Sequence, residues 1–250
     1  MQFVDTHCHV HDEEFYSDSR EEAYRQSVEA GVFMIVVGTD MKSSRSAVEF
    51  VRTHSQAKAV IGVHPHEAKD GIDGLEDLLK SSFDEVVGIG EIGLDYFYEH
   101  SSRTIQQDVL RQQLALAKKY NLPVSFHVRD AFDDFWPIFD ALPVEGVLHS
   151  FTDSSKNLSM ALERRLFIGI NGISTFTKDQ NQQQLYAKLP LESIVLETDS
   201  PFLTPSPFRG KVNLPAYVGR VAEHQAMVKG TSLEHVALVT SQNARKLFGL

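Results

Sequence analysis

The 250-residue sequence lacks several features that mark specialised classes of protein. Its single cysteine, Cys8, excludes an internal disulfide framework and is typical of a reducing compartment. No apolar run approaches the roughly 20 residues that a membrane-spanning helix requires. The N-terminus also lacks the basic-then-apolar layout of a signal peptide. We therefore expect a cytoplasmic protein that does not interact with a membrane.

The sequence also lacks an excess of positive charge. It has 24 basic and 34 acidic side chains, which give a formal net charge of −10 at pH 7. Because nonspecific binding to nucleic acid depends largely on neutralising phosphates, a general electrostatic grip on nucleic acid is disfavoured. A local site in which metal ions supply the positive charge stays compatible with this composition, and DNA would then be bound transiently.

Short apolar, β-branched runs alternate with helical patterns along the whole chain. Eight runs have the length and composition of buried strands, at 2–7, 32–38, 58–64, 85–91, 123–128, 145–150, 166–171 and 193–198. Amphipathic stretches such as 19–31 and 104–121 lie between them. No Gly-rich nucleotide-binding fingerprint follows a strand, which disfavours an open doubly wound sheet. The pattern predicts an α/β protein, a single (β/α)8 barrel domain over 1–250 with an additional C-terminal helix.

Polar side chains end six of the predicted strands, at the edge where barrel enzymes carry their active sites. They are His7 and His9, His64, Glu91, His127, His149 and Asp199. Buried ionisable groups on neighbouring strands would be desolvated unless something pairs with them. Imidazoles and carboxylates are ligands of divalent cations, so a centre of Mg, Mn or Zn accounts for the pattern. The ligands exceed what one tetrahedral ion needs, which favours two ions and a bridging carboxylate.

The spacing of His7 and His9 adds a geometric expectation. In a strand, side chains at i and i+2 project to the same face, so both imidazoles should face the barrel interior while Cys8 faces the helices. His11 stays open between a loop residue and a substrate contact. A pair of metal ions activates water and stabilises developing charge on oxygen, which favours hydrolysis of phosphoesters or amides.

Six blocks of the sequence resemble, in order, the hallmark motifs of the TatD-type deoxyribonuclease family of metal-dependent hydrolases. The blocks are FVDTHCHV, GVHPHEA, GEIGLDYFY, LALAKKYNLPVSFHVRDA, GINGISTFT and LETDSPFLTP. The resemblance runs from residue 3 to the NARKLF near the C-terminus. It implies an amidohydrolase-like barrel, in agreement with the strand pattern.

The resemblance also implies roles for the residues at the strand ends. One ion would have the ligands His7, His9 and Asp199. The second ion would have the ligands Glu91, His127 and His149, with Glu91 bridging the two ions. Asp199 would orient or deprotonate the attacking water. His64 would contact the substrate phosphate or act as the leaving-group acid, or else only hydrogen-bond to a ligand. The expected catalytic residues are Asp199, Glu91 and His64.

Two departures from the family pattern concern the choice of substrate. The block HSFTD places Asp153 where the family pattern HCFSG has glycine, and a carboxylate near a phosphate site would tend to repel DNA. The loop FRGKVNLPAYV keeps Arg209, Lys211 and Asn213 but has Val212 and Leu214 where the family has Arg and Glu.

Three functions stay open. The first is a metal-dependent deoxyribonuclease of the 3′–5′ exonuclease type, with His64, Arg129 and Arg209 as substrate contacts. In this function Tyr96 or Phe97 would stack on a base, or would simply pack within the loop. The second is a metal-dependent amide or ester hydrolase, including one that deacylates aminoacyl-tRNA, which suits the acidic composition. The third is a metal-stabilised binding protein. We expect a monomer in each case.

Overall fold

The computed structural model describes residues 2–250. Within this range eight strands form one parallel sheet in chain order, β1-β2-β3-β4-β5-β6-β7-β8. The strands are β1 Phe3–Cys8, β2 Val32–Val37, β3 Ala57–Ile61, β4 Val86–Asp95, β5 Val124–Arg129, β6 Gly146–Leu148, β7 Phe167–Ile170 and β8 Ile194–Leu196.

Ten α-helices alternate with or follow these strands within residues 2–250. They are α1 Glu13–Tyr16, α2 Arg20–Glu29, α3 Met41–Thr53, α4 Leu75–Ser81, α5 Arg103–Tyr120, α6 Phe132–Ala141, α7 Ser155–Glu163, α8 Gln180–Lys188, α9 Val218–Lys229 and α10 Leu233–Phe248. Short 3-10 helices lie at Ser17–Ser19, Pro65–Asp70, Gly172–Thr175, Leu191–Ser193 and Pro215–Tyr217. None of the described helices has the length and apolar character needed to cross a membrane.

The α/β fold predicted from the sequence is confirmed, including the additional C-terminal helix α10. The main difference concerns the end of β4, which the sequence pattern placed at Glu91. In the structure β4 continues to Asp95, because Gly93, Leu94 and Asp95 pair with the last three residues of β5. The extension makes Asp95 a strand-end residue, a position that the sequence pattern did not assign to it.

The chain groups into two compact units. Unit 1 comprises Met1–Val36 and Ser150–Leu250, and unit 2 comprises Val37–His149. In unit 1, β1 pairs with β2 and β7 pairs with β8, and α10 packs against both β1 and β8. The expectation of a single domain over 1–250 stays a prediction.

Unit 2 contains β3 to β6 with α5 packed against β4. Its core side chains are apolar and fully buried, among them Ile61, Ile89, Ile92, Leu94 and Phe126. Burying each such side chain stabilises the fold by about 1.5–3 kcal/mol. This apolar core fixes the strands whose ends carry the polar residues.

Two buried glutamines on α5 tie the helix to the backbone beside the polar strand ends. Gln113 accepts a hydrogen bond from the Val63 N–H at 2.8 Å and donates to the Val63 carbonyl at 3.0 Å. Gln106, seven residues earlier on the same helix face, does the same for the N–H and carbonyl of Asp95, at 2.8 and 3.0 Å. Each amide satisfies buried backbone groups that would otherwise be costly to desolvate, and so holds the chain next to His64 and at Asp95.

Gly93 allows β4 and β5 to approach each other closely where Gly93 pairs with His127. Its φ is +153°, and a Cβ at this position would lie 1.8 Å from the carbonyl oxygen of His127. Any side chain would therefore push the two strands apart.

We expect Gly93→Ala to lower the free energy of unfolding by about 2 kcal/mol or more, because backbone atoms must move to admit the methyl group. Urea denaturation measures the effect. Gly219→Ala on α9 is the matched control, because its new Cβ would meet its nearest neighbour, a Phe3 ring carbon, only at 3.7 Å. The control should be neutral or stabilising by less than about 1 kcal/mol. Equal stability of both variants would contradict this account of Gly93.

Candidate metal centre

In unit 2, the buried carboxylate of Glu91 faces three imidazoles. Its Oε1 lies 3.0 Å from His127 Nδ1, 3.6 Å from His64 Nε2 and 3.8 Å from His149 Nε2. Ligand atoms of Glu91, His64 and His127 all lie within 4.8 Å of one another, close enough to share one ion. Every atom in the cluster is an imidazole nitrogen or a carboxylate oxygen, so the residues fit a divalent cation such as Mg, Mn or Zn.

Asp95, which was not among the site residues predicted from the sequence, contacts His127 at the ring nitrogen that does not face Glu91. Its Oδ2 lies 2.8 Å from His127 Nε2 and 3.1 Å from His66 Nε2. With Nε2 of His127 donating to this carboxylate, Nδ1 is the nitrogen that faces Glu91, and it can bind a cation that displaces its proton. Asp95 therefore selects the tautomer and the orientation in which His127 can act as a ligand.

The electrostatics of the cluster favour a positive charge at its centre. Burial opposes protonation of His127, but hydrogen bonds to Asp95 and Glu91, together with their charges, outweigh it and raise the pKa of His127 to about 9. Burial likewise opposes ionisation of Asp95, yet hydrogen bonds from His127 and from backbone N–H groups hold its pKa well below the usual range. The negative field that attracts a proton to His127 also attracts a metal cation.

His64 differs from the other imidazoles of unit 2 in its hydrogen bonding. Its Nδ1 accepts the backbone N–H of His66 at 3.2 Å, which leaves the proton on Nε2. Burial, followed by the charge of the nearby His127, lowers the pKa of His64 well below its usual value. His64 is therefore a neutral imidazole whose protonated Nε2 lies 3.6 Å from Glu91 Oε1.

In unit 1, Asp199 faces two imidazoles from β1 and the residues after it. Asp199 Oδ1 lies 3.4 Å from His9 Nε2 and 3.9 Å from His7 Nε2, and the two imidazole rings are 5.1 Å apart. The Asp199 N–H donates to the His7 carbonyl at 2.8 Å, which holds the acidic residue beside the first imidazole. These three side chains again offer only imidazole nitrogen and carboxylate oxygen, which suits a divalent cation.

Asp5 lies within β1 and is hydrogen-bonded to the backbone next to this group. The fully buried carboxylate accepts the N–H of His7 at 3.2 Å, and the N–H of Thr198 at 2.9 Å, together with the Thr198 hydroxyl. Burial raises the pKa of Asp5 to about 8 in spite of these bonds. A single carboxylate thus joins the residue before Asp199 to β1 at His7.

The remaining residues of the histidine-rich start lie outside the candidate groups. Cys8 is fully buried, its Sγ lies 3.5 Å from the Ile35 carbonyl oxygen, and burial raises its thiol pKa well above the usual value. Burial lowers the pKa of His11 to about 3, so its imidazole is neutral. Neither residue belongs to any ligand group found among residues 2–250.

Glu197 is a further buried acid that the strand-end pattern missed, because it precedes the predicted ligand Asp199 by two residues. Its Oε1 accepts the Ser150 N–H at 2.6 Å, and Asn171 donates to the Ser150 hydroxyl at 2.8 Å. These bonds hold the chain at Ser150, where unit 1 resumes after His149.

The predicted substrate contacts lie on aromatic rings. The Arg129 guanidinium at the end of β5 lies 3.9 Å from the Phe97 ring centroid. Arg209 donates to the Thr204 carbonyl at 2.9 Å, and its guanidinium lies 3.8 Å from the Phe176 ring. Both side chains present a planar cation of the kind that binds phosphate.

The residues that depart from the family pattern lie just before α7 and in the loop after β8. Asp153 accepts hydrogen bonds from the Ser154 N–H and, at 2.6 Å, from the Asn157 side chain at the start of α7. Its carboxylate is therefore occupied in stabilising a helix N-terminus. Val212 is 55% exposed and Leu214 half-buried in the loop after β8.

The alternating α/β fold and the imidazole–carboxylate groups at its strand ends define a metal-dependent hydrolase of the barrel type. The family model described as TatD related DNase matches residues 4–249. The chain belongs to this family. The family resemblance stated from the sequence motifs is thereby confirmed.

Relatives in other organisms agree with this assignment. The chain is 38% identical over 98% of both sequences to the protein of Bacillus subtilis (strain 168) named "Uncharacterized metal-dependent hydrolase YabD". It is 31% identical to the "3'-5' ssDNA/RNA exonuclease TatD" of Salmonella typhimurium (strain LT2), over 93% of this chain and 94% of that protein. The solved structure of YJJV, a TatD homologue from Escherichia coli K12, is 30% identical and has a TM-score of 0.90, over 99% of this chain and 98% of that one.

The comparisons confirm the class of enzyme and its dependence on metal. They favour a hydrolase of the nuclease family and do not favour the alternative amide or ester hydrolase. The number and identity of the ions, the residues that hold them, the oligomeric state and the location in the cell stay predictions.

Proposed function

We propose that this chain is an exonuclease that uses two divalent cations to remove nucleotides from the 3′ end of single-stranded DNA. The observation that carries the proposal is the pair of imidazole–carboxylate groups, one in each unit, in a chain of the TatD related DNase family. The name of the Salmonella relative, a 3'-5' ssDNA/RNA exonuclease, supports the choice of substrate.

Each unit would supply the ligands of one ion. The first set is His7, His9 and Asp199. The second set is Glu91, His127 and His149. When bound, Mg, Mn or Zn ions would activate water and stabilise negative charge on the phosphate oxygens. Bridging of the two ions by Glu91 stays a prediction from the family resemblance.

Asp199 is the residue best suited to accept a proton from the attacking water. Its side chain is 16% exposed, whereas that of His7 in the same group is fully buried. A carboxylate that both reaches solvent and faces the reacting centre can orient water and act as a general base. Glu91 is buried and surrounded by imidazoles, so its role is to hold charge and ligands in place.

His64 fits a substrate contact better than a metal ligand. A protonated Nε2 donates hydrogen bonds and has no free lone pair for a cation, and His64 carries its proton at this atom. The donor lies beside Glu91, where it can reach a phosphate oxygen. Arg129 and Arg209 would supply the local positive charge that an acidic protein of net charge −10 needs to hold the phosphates of a DNA strand.

We expect the chain to shorten a 5′-labelled single-stranded oligonucleotide from its 3′ end in the presence of Mg, Mn or Zn. Asp199→Asn should lower the rate about 100-fold to 10,000-fold, because it removes the proton acceptor. Glu223→Gln is the matched control, an exposed carboxylate of unit 1 paired with Arg220 on the surface of α9, and it should retain the wild-type rate. No shortening with any of the three ions, or a preference for acyl esters over phosphodiesters, would reject the proposal.

The position of Asp95 leads to a prediction about metal binding itself. Asp95→Asn should weaken binding of one cation about 10-fold to 100-fold, because His127 loses the carboxylate that fixes its tautomer. Isothermal titration of the metal-free protein with Mn or Zn measures the affinity without reference to activity. The control is Glu99→Gln, an exposed carboxylate in the loop after β4 that pairs with Arg103. Unchanged affinities in both variants would show that Asp95 does not orient a ligand.

A further inference from the structure

Two large aromatic side chains stand exposed on the loop that follows β4. Phe97 is 54% exposed and Tyr98 is 47% exposed, with ring centroids 4.6 Å apart and ring planes at 82°. The Arg129 guanidinium lies 3.9 Å from the Phe97 centroid and 5.1 Å from that of Tyr98. We call Phe97, Tyr98 and Arg129 the aromatic platform. Exposed rings of this size indicate a binding surface when they are held in place.

Hydrogen bonds hold the aromatic platform in its position. Asp95 Oδ1 accepts the backbone N–H of Phe97 at 3.0 Å and that of Tyr98 at 2.9 Å. The Tyr98 ring also stacks on His100, with centroids 5.9 Å apart and planes at 16°. Because the backbone beneath both rings is fixed before any ligand arrives, binding would cost little conformational entropy.

The same carboxylate links the aromatic platform to the cluster around Glu91. While Oδ1 of Asp95 holds the two backbone N–H groups, its Oδ2 bonds to His127 Nε2 at 2.8 Å. His127 is one of the ligands assigned to the second ion under the proposed function. A single residue, Asp95, therefore contacts both a proposed metal ligand and the backbone of the aromatic platform.

Tyr96, the neighbouring aromatic residue, does not offer a similar surface. Its hydroxyl donates to Asp134 at 2.8 Å and accepts from Gln107 at 2.8 Å. Tyr96 is also half-buried, whereas Phe97 and Tyr98 are exposed. Of the two aromatic residues singled out in the sequence, only Phe97 is free of such side-chain hydrogen bonding and largely exposed.

We propose that the aromatic platform is a subsite for one unpaired nucleobase of a single-stranded nucleic acid. The base would stack on the face of Phe97 that Arg129 leaves open, and it would meet the Tyr98 ring, which stands at 82° to Phe97, only at its edge. The edge of the Arg129 guanidinium would bind the adjoining phosphate. This inference rests on the proposed function and extends it, because it says which surface selects single strands. A base within a duplex is stacked on both faces and cannot lie on the rings.

The chemistry of the surface favours this occupant. Aromatic rings next to a guanidinium match a nucleotide, which joins a flat apolar base to an anionic phosphate. The chain as a whole is acidic, so Arg129 on the exposed rings would supply the local positive charge that complements a polyanion. Stacking is tolerant of sequence, and the subsite should accept all four bases.

A double-mutant cycle between the protein and the oligonucleotide tests the subsite. The substrates are single strands that carry one abasic residue at each of the last few 3′ positions, together with the intact strand. Phe97→Ala should lower kcat/KM on the intact strand roughly 5-fold to 150-fold, the range of one base–aromatic stacking contact. For the wild type, an abasic residue at one position should cause a loss of similar size. The two changes together should cost no more than either alone.

Two further variants separate stacking from general damage to the protein. Phe97→Trp keeps an aromatic face and should restore most of the activity that Phe97→Ala loses. Phe83→Ala is the matched control, because Phe83 lies in the same unit, is 50% exposed and precedes β4 at its other end. It should behave as the wild type on every strand. The subsite would be overturned if the losses from Phe97→Ala and from the abasic residue add at every position, or if Phe97→Ala has wild-type activity.

Fluorescence of a strand with 2-aminopurine at the critical position separates this inference from the proposed function. Quenching of the fluorescence on binding to the wild type that is absent in Phe97→Ala would support the subsite even if the strand is not cleaved. In that case only the proposed exonuclease function would be rejected. Cleavage with additive losses would reject the subsite alone. A strand that is neither bound nor cut would reject both.

Discussion

The orientation of His127 and the position of the aromatic platform in unit 2 both depend on the hydrogen bonds of the Asp95 carboxylate. One oxygen fixes His127 and His66, and the other holds the backbone of Phe97 and Tyr98. Gln106 on α5 in turn holds the backbone of Asp95. The orientation of a proposed metal ligand and the position of the proposed base-stacking rings are thereby set by the same side chain, whose buried charge is stabilised by four hydrogen bonds.

Both units solve the same physical problem, which is to keep several ionisable groups buried at strand ends. In unit 1 the supporting acid is Asp5, which accepts the backbone N–H groups of His7 and of Thr198, the residue before Asp199. In unit 2 it is Asp95. Asp5 accepts backbone N–H groups next to the imidazole cluster of unit 1, whereas Asp95 bonds directly to an imidazole of the cluster in unit 2. In each unit a second acid faces the imidazoles. The charge that a cation would neutralise is thus provided by the fold itself.

Much of the fold and of the candidate ligand set could be predicted from the sequence. Buried strands in a parallel sheet are near-continuous apolar runs, so each polar residue at a run's end was conspicuous. Asp95 was missed because the glycines around Glu91 looked like the end of a strand, whereas Gly93 continues the pairing with β5. Gln106 and Gln113 were missed because polar residues on an amphipathic helix normally face water. Only the three-dimensional structure shows that they are buried.

The claim that two imidazole–carboxylate groups hold two cations is tested most directly by anomalous scattering from crystals grown with Mn. The account predicts two anomalous peaks. One should contact His7, His9 and Asp199, and the other should contact Glu91, His127 and His149, with Asp95 on the far nitrogen of His127. A single peak, or peaks ligated by other residues such as His64 or His66, would contradict the account.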